Sequence, residues 1–171
     1  LPNLRTNSDK FDTNPYLFNC YNGTIHLENG IKFLAHNKDE FLTKIANVEY
    51  HEDAKCPNFI TLLNDIFMED ESLIRYVQRA IGYTMTGLVS EDVLFFAYGN
   101  GANGKTTFFE ILRLLFGDYF EKSSVNLLMV GKNESTGMDI ARLKGARFVV
   151  TSEVEEGYKF NESLVKDLTG G

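Results

Sequence analysis

The chain has 171 residues, 43% hydrophobic and 24% charged, with a formal net charge of −7. Those values suit a soluble globular protein and argue against a dedicated nucleic-acid module with a basic face, leaving room only for DNA contacts confined to a small loop. No apolar run reaches the ~20 residues that span a bilayer, and Leu1–Tyr16 lacks the apolar centre of a signal peptide, so the expectation is a cytoplasmic protein without membrane contact.

The two cysteines, Cys20 and Cys56, make no disulfide framework and fit a reducing compartment. With His36 and His51 they show no zinc-ligand spacing. A chain that starts at Leu1 and stops at Gly170–Gly171 reads as a piece of something longer.

After a polar, aperiodic stretch to Asn14, the sequence predicts a β-meander. Tyr16–Tyr21 is strand-like, Asn22-Gly23 is a hairpin turn signal, and Thr24–Leu27 returns. Glu28-Asn29-Gly30 turns again into Ile31–Leu34. Two helices follow. Phe59, Leu62, Leu63, Ile66 and Phe67 share one helical face, with Pro57 at the start. Asp70 opens the second, whose stripe is Leu73, Tyr76, Val77, Ala80 and Ile81, with Gly82 as the expected stop. Both stripes read as core, and Arg75 and Arg79 as a solvated face.

Tyr83–Asp92 reads as a linker. The expected division is a small mixed α/β or α+β domain over 1–83, a linker over 84–91, and a partial ATPase core over 92–171. Val93–Tyr98 is a continuous apolar run, which suits a strand buried on both faces of a parallel sheet. A parallel partner is expected at Arg147–Ser152, with helices in the crossover. Val125–Val130 fits a helix end or a strand, and Met138–Leu143 a helix.

Directly after the apolar run stands Gly99-Asn100-Gly101-Ala102-Asn103-Gly104-Lys105-Thr106, which fits G-x-x-x-x-G-K-[ST] at every fixed position. A triphosphate packs several negative charges together. Backbone N–H groups can surround it only where side chains stay away, and glycine permits that approach. A helix starting at the phosphates, with apolar positions Phe108, Ile111, Leu112 and Leu115, adds its free N–H groups and dipole. Lys105 would reach the β- and γ-phosphates, and the Thr106 hydroxyl would ligate Mg²⁺. The second acid such sites need is expected in Glu153, at the end of the Phe148–Val150 strand, as a Mg²⁺ and water-positioning group. Ser152 stands where many such motifs carry a first acid, and Glu155 and Glu156 are alternates. Arg142 reads as a surface or salt-bridged residue, the other reading being reach to a neighbouring subunit's phosphate.

The string Gly99–Thr107 followed by Leu115-Phe116-Gly117-Asp118-Tyr119 resembles the helicase portion of phage and plasmid primases, with poxvirus primase–helicases similar. Ala141–Arg147, Ser152–Gly157 and Val165–Gly171 carry the resemblance on, and Asn14–Tyr83 resembles the small domain preceding the ATPase in that family. The resemblance implies superfamily 3: an AAA+-like P-loop α/β core, ATP and Mg²⁺ as cofactors, and action as a DNA helicase in mobile-element replication. It further implies single-stranded DNA as a partner of the full-length protein and a homo-hexameric ring. It places a γ-phosphate sensor, a trans-acting arginine and most of a DNA hairpin beyond Gly171, so this chain is expected to be an incomplete motor. The competing reading is another P-loop NTPase or kinase not acting on DNA.

Overall fold

After a 3-10 turn at Ser8–Lys10 come three antiparallel strands: β1 (Leu17–Cys20), β2 (Gly23–His26) and β3 (Lys32–Leu34), in that spatial order. The computed structural model describes residues 7–130, 137–151 and 159–170. The hairpin signal works as expected, with Cys20 opposite Gly23 and Leu17 opposite His26. Glycine is required at 23 because a Cβ there would sit 2.4 Å from the Leu34 carbonyl oxygen, so a side chain would push β3 off β2. Both faces of the hairpin are covered, with Leu17, Phe18 and Cys20 buried in β1 and Gly23, Thr24 and Ile25 in β2, while β3 stays exposed along its length.

Helix α1 spans Pro57–Phe67 and α2 spans Glu71–Met85. Proline at the first position of α1 forfeits no hydrogen bond. Asp70 caps α2, its carboxylate accepting from the N–H groups of Ser72 and Leu73. Those bonds hold its carboxyl below the ordinary carboxylate value of 3.8, the one from Leu73 foremost. Two expectations for α2 are corrected. The helix runs through Gly82 to Met85, because nothing crowds that glycine and the helical ladder continues past it. Its inward face is also turned by one residue: Ile74 is buried, whereas Leu73 and Tyr76 are 40% and 51% exposed.

Helix α3 (Lys105–Phe116) leads through a 3-10 turn at Gly117–Tyr119 into β4 (Phe120–Ser123). Residues 125–128 form another 3-10 turn, settling the ambiguity of the Val125–Val130 stretch. After α4 (Gly137–Arg142) comes β5 (Phe148–Thr151), and the described part closes with α5 (Glu162–Thr169). β4 and β5 pair in parallel, Phe120 opposite Phe148 and Ser123 opposite Thr151. Among the described residues the architecture is thus mixed α/β with two sheets, one antiparallel and one parallel.

The parallel strand at residues 148–151 is where the sequence placed it, but its partner is not. Val93–Tyr98 joins no strand among the described residues, and its side chains are exposed, Phe96 to 66% and Tyr98 to 91%. No ladder forms on that run: among the described residues β5 pairs with β4 on one edge and has no partner on the other. The β4 sequence Phe-Glu-Lys-Ser carries too little apolar pattern to have been read as a strand.

The core takes side chains from both sides of the 84–91 segment. Phe18, Cys20 and Ile25 from the meander meet Leu112, Phe116 and Tyr119. Phe18 stacks on Tyr119 with centroids 4.8 Å apart and meets Phe116 edge-on at 5.7 Å. Between them runs the strap of residues 44–48. Asn19 accepts from the Ala46 N–H at 2.8 Å. The Tyr119 hydroxyl accepts from Asn19 N–H and donates to the Lys44 carbonyl, both at 3.2 Å. Gly117, at φ 54°, ends α3 where a Cβ would strike the Ile45 oxygen at 2.6 Å and the Asn47 nitrogen at 2.8 Å. Asp118 then accepts from the Ile45 N–H at 3.2 Å. The Leu115–Tyr119 string is therefore the packing anchor of the fold.

Candidate functional site

Residues 99–104 form an irregular loop that ends as α3 begins at Lys105. Positive φ angles recur along it: 150° at Gly99, 60° at Ala102 and 80° at Gly104. Ala102 there carries a Cβ in the left-handed region, a strained backbone that persists only where the surrounding loop enforces it. Gly104 is the N-cap of α3 and supplies no side-chain cap. The first turn contains no acid, and Arg113 lies in the last turn. The Lys105 N–H reaches Asn103 Oδ1 at 3.5 Å, and with no acid in the first turn the positive end of the helix dipole stands uncompensated.

Lys105 curls back over the loop. Its Nζ donates to the Gly99 carbonyl at 2.8 Å and to Asn103 Oδ1 at 3.0 Å. Asn103, Gly104 and Lys105 are half-buried, whereas Gly99, Asn100, Gly101, Ala102, Thr106 and Thr107 are exposed. Neither threonine hydroxyl makes a hydrogen bond among the described residues.

The loop is backed by α1. A Cβ at Gly104 would meet Ile66 Cγ1 at 2.7 Å, so glycine is needed for the helix start to rest on α1. One turn along, Phe108 packs against Phe59 and Phe67, each at 6.4 Å. Phe109 reaches Phe148 of β5 at 6.2 Å. The apolar stripe of α1 was legible as core, but its service as the floor of the loop was not.

Glu153 lies outside the described residues, as do Ser152, Glu155 and Glu156; β5 ends at Thr151, two residues earlier in sequence. Arg142 donates to Glu121 at 2.7 Å, which is the salt-bridged reading of that residue. Arg75 pairs with Glu71 one turn away on α2, also in keeping with a solvated face. Among the described residues no group of three His, Cys, Asp or Glu is placed to hold a metal ion, and no helix is long and apolar enough to cross a membrane.

The residue that sequence reasoning passed over is Arg147. Its guanidinium donates to the Met85 carbonyl at 2.5 Å and the Leu17 carbonyl at 2.6 Å. It lies over the Tyr119 ring, 4.7 Å from the centroid. Burial pushes its pKa below the ordinary guanidinium value, and burial pushes the Tyr119 hydroxyl up from 10.0. One side chain thereby ties the end of α2, β1 and the start of β5. An arginine ahead of a strand has no periodic signature, so nothing local could have revealed it.

Residues 2–68 match the protein family described as D5 N terminal like, a span that covers the meander and α1 and stops short of the loop. Over its full length the chain is similar to viral proteins. It is 29% identical over 176 residues to a provisionally named helicase of Acanthamoeba polyphaga mimivirus, covering 99% of the chain and 18% of that protein. It is 25% identical over 168 residues to a provisionally named primase of African swine fever virus, covering 92% of the chain and 17% of that protein. The chain therefore spans less than a fifth of the length of these relatives.

Proposed function

We propose that residues 99–107 bind the phosphates of ATP and that the chain is part of an ATP-driven DNA helicase motor of a primase–helicase. The observation that carries this reading is the N-terminus of α3, which has no acid in its first turn and no cap from Gly104, with Lys105 held over the glycine loop beside it. Such a terminus attracts a polyphosphate through its amides, its dipole and one mobile ammonium. The likeness to viral proteins named helicase and primase supports a nucleic-acid substrate, which this reading takes to be DNA.

In this reading the amides of residues 101–106 surround the phosphates, and Lys105 leaves its loop partners to neutralise the β- and γ-phosphates. Thr106, exposed at the first turn with an uncommitted hydroxyl, fits a single protein ligand of Mg²⁺, an ion that keeps most of its shell as water and phosphate oxygen. Mg²⁺ bound there would offset phosphate charge. Glu153 would orient the attacking water. Superfamily 3 membership, an AAA+-like core, a hexameric ring and single-stranded DNA as track complete the proposal.

The test is a titration of labelled ATP against the full-length protein and its Lys105→Ala variant, followed by ATP turnover with and without single-stranded DNA. The variant is expected to lose most affinity or turnover, and the wild type to be stimulated by DNA. Equal affinity together with equal turnover would refute the site. Turnover indifferent to DNA would leave an NTPase and remove the helicase reading.

A further inference from the structure

We propose that Asn103 is a positioning residue for Lys105, holding its ammonium over the Gly99 carbonyl until a polyphosphate draws it away. This rests on the reading of residues 99–107 as a phosphate-binding loop. The lysine Nζ has two acceptors, the Gly99 carbonyl at 2.8 Å and the Asn103 amide oxygen at 3.0 Å. No carboxylate pairs with Lys105 among the described residues. The same amide closes the loop from the other side. A Cβ at Gly99 would lie 2.3 Å from Asn103 Nδ2, so the side chain occupies the space that glycine leaves. Asn103 is half-buried in a loop whose neighbours Asn100–Ala102 are exposed, in keeping with a side chain committed to an internal contact.

The chemistry of the holder matters. A carboxylate at this position would keep the ammonium and repel phosphate. An alanine would leave the ammonium with the backbone carbonyl alone. A neutral amide accepts a charge-assisted hydrogen bond strong enough to order the lysine, yet weaker than the multiply charged phosphate that replaces it. The amide thus competes with ligands that carry a β-phosphate and is indifferent to those that lack one.

The experiment compares wild type, Asn103→Ala and Lys105→Ala in the full-length protein, titrated with ATP, ADP and AMP. Asn103→Ala is expected to bind ATP and ADP about 3–10-fold more tightly, with AMP unchanged. Lys105→Ala is expected to bind ATP and ADP more weakly. A second measurement needs no nucleotide: acetylation of Lys105 by a small acylating reagent, mapped by mass spectrometry with Lys44 as internal reference. Lys105 is expected to react faster in Asn103→Ala, a change that general loosening would spread to Lys44. Unchanged or weaker ADP binding in Asn103→Ala, equal tightening for AMP, or unaltered Lys105 labelling would overturn the role of Asn103. If Lys105→Ala still loses affinity in that case, the phosphate-binding loop stands alone. A wild type with no affinity for ATP removes both.

Discussion

Replacing Arg147 by alanine should destabilise the fold by about 3 kcal/mol. Two hydrogen bonds from a charged donor are lost, each worth roughly 1.5–3 kcal/mol net, and the carbonyls of Met85 and Leu17 are left without their partner. The ring contact with Tyr119 adds on the order of 1 kcal/mol. Relief from desolving the guanidinium offsets part of that sum. For a chain of this size each kcal/mol corresponds to roughly 2–4 °C in Tm, so the shift should be about 6–12 °C. Arg147→Lys keeps the charge but not the two-pronged donor geometry, and should lose about half as much. Urea unfolding followed by circular dichroism measures both variants. An alanine variant within about 0.5 kcal/mol of wild type would show that the three elements hold together without the clamp.

Two glycines should respond with opposite sign: Gly117→Ala is expected to lose about 3 kcal/mol, since a Cβ meets the Ile45 and Asn47 backbone and φ is positive, whereas Gly82→Ala, inside α2 in open space, should gain about 0.5–1 kcal/mol. Urea midpoints decide both. Burial pushes the Cys20 thiol up to about 11 from 9.0, so between those values the unfolded chain gives up the proton first and stability should fall as pH rises. Cys20→Ala should flatten that alkaline limb of a pH–stability profile, and thiol labelling of the native protein should modify the exposed Cys56 and spare Cys20. Glu153→Gln in the full-length protein should leave ATP binding largely intact and slow hydrolysis; unchanged hydrolysis would move the role to Glu155 or Glu156.

What the sequence disclosed was local. Pro57 and Asp70 act through backbone within a few residues, and Asn22-Gly23 marks its turn although Gly23 also makes room for the Leu34 carbonyl. The glycine loop before Lys105 is likewise marked by its own residues, although Gly104 also answers to Ile66 of α1. Helical spacing located α2 but could not separate the Leu73 face from the adjacent Ile74 face, because the choice belongs to the neighbours the helix packs on. The Val93–Tyr98 run has the composition of a buried strand, yet hydrophobicity supplies no ladder, and β5 takes Phe120–Ser123 instead. Arg147 and Tyr119 act on partners far away in sequence, and such pairings leave no mark in any short window.

That remoteness bears on how the chain is made. The Leu17 carbonyl waits for a guanidinium 130 residues downstream, and the Asn19 N–H for a phenol 100 residues downstream. At ~5–20 residues per second of synthesis, the meander emerges roughly 6–26 seconds before its clamp exists. For the first ~5–20 seconds of that interval Phe18 and Ile25 have no Phe116 or Tyr119 to cover them. The nascent hairpin is thus the part of this protein most in need of a chaperone's shelter, and a pause in translation between residues 30 and 147 would lengthen its exposure.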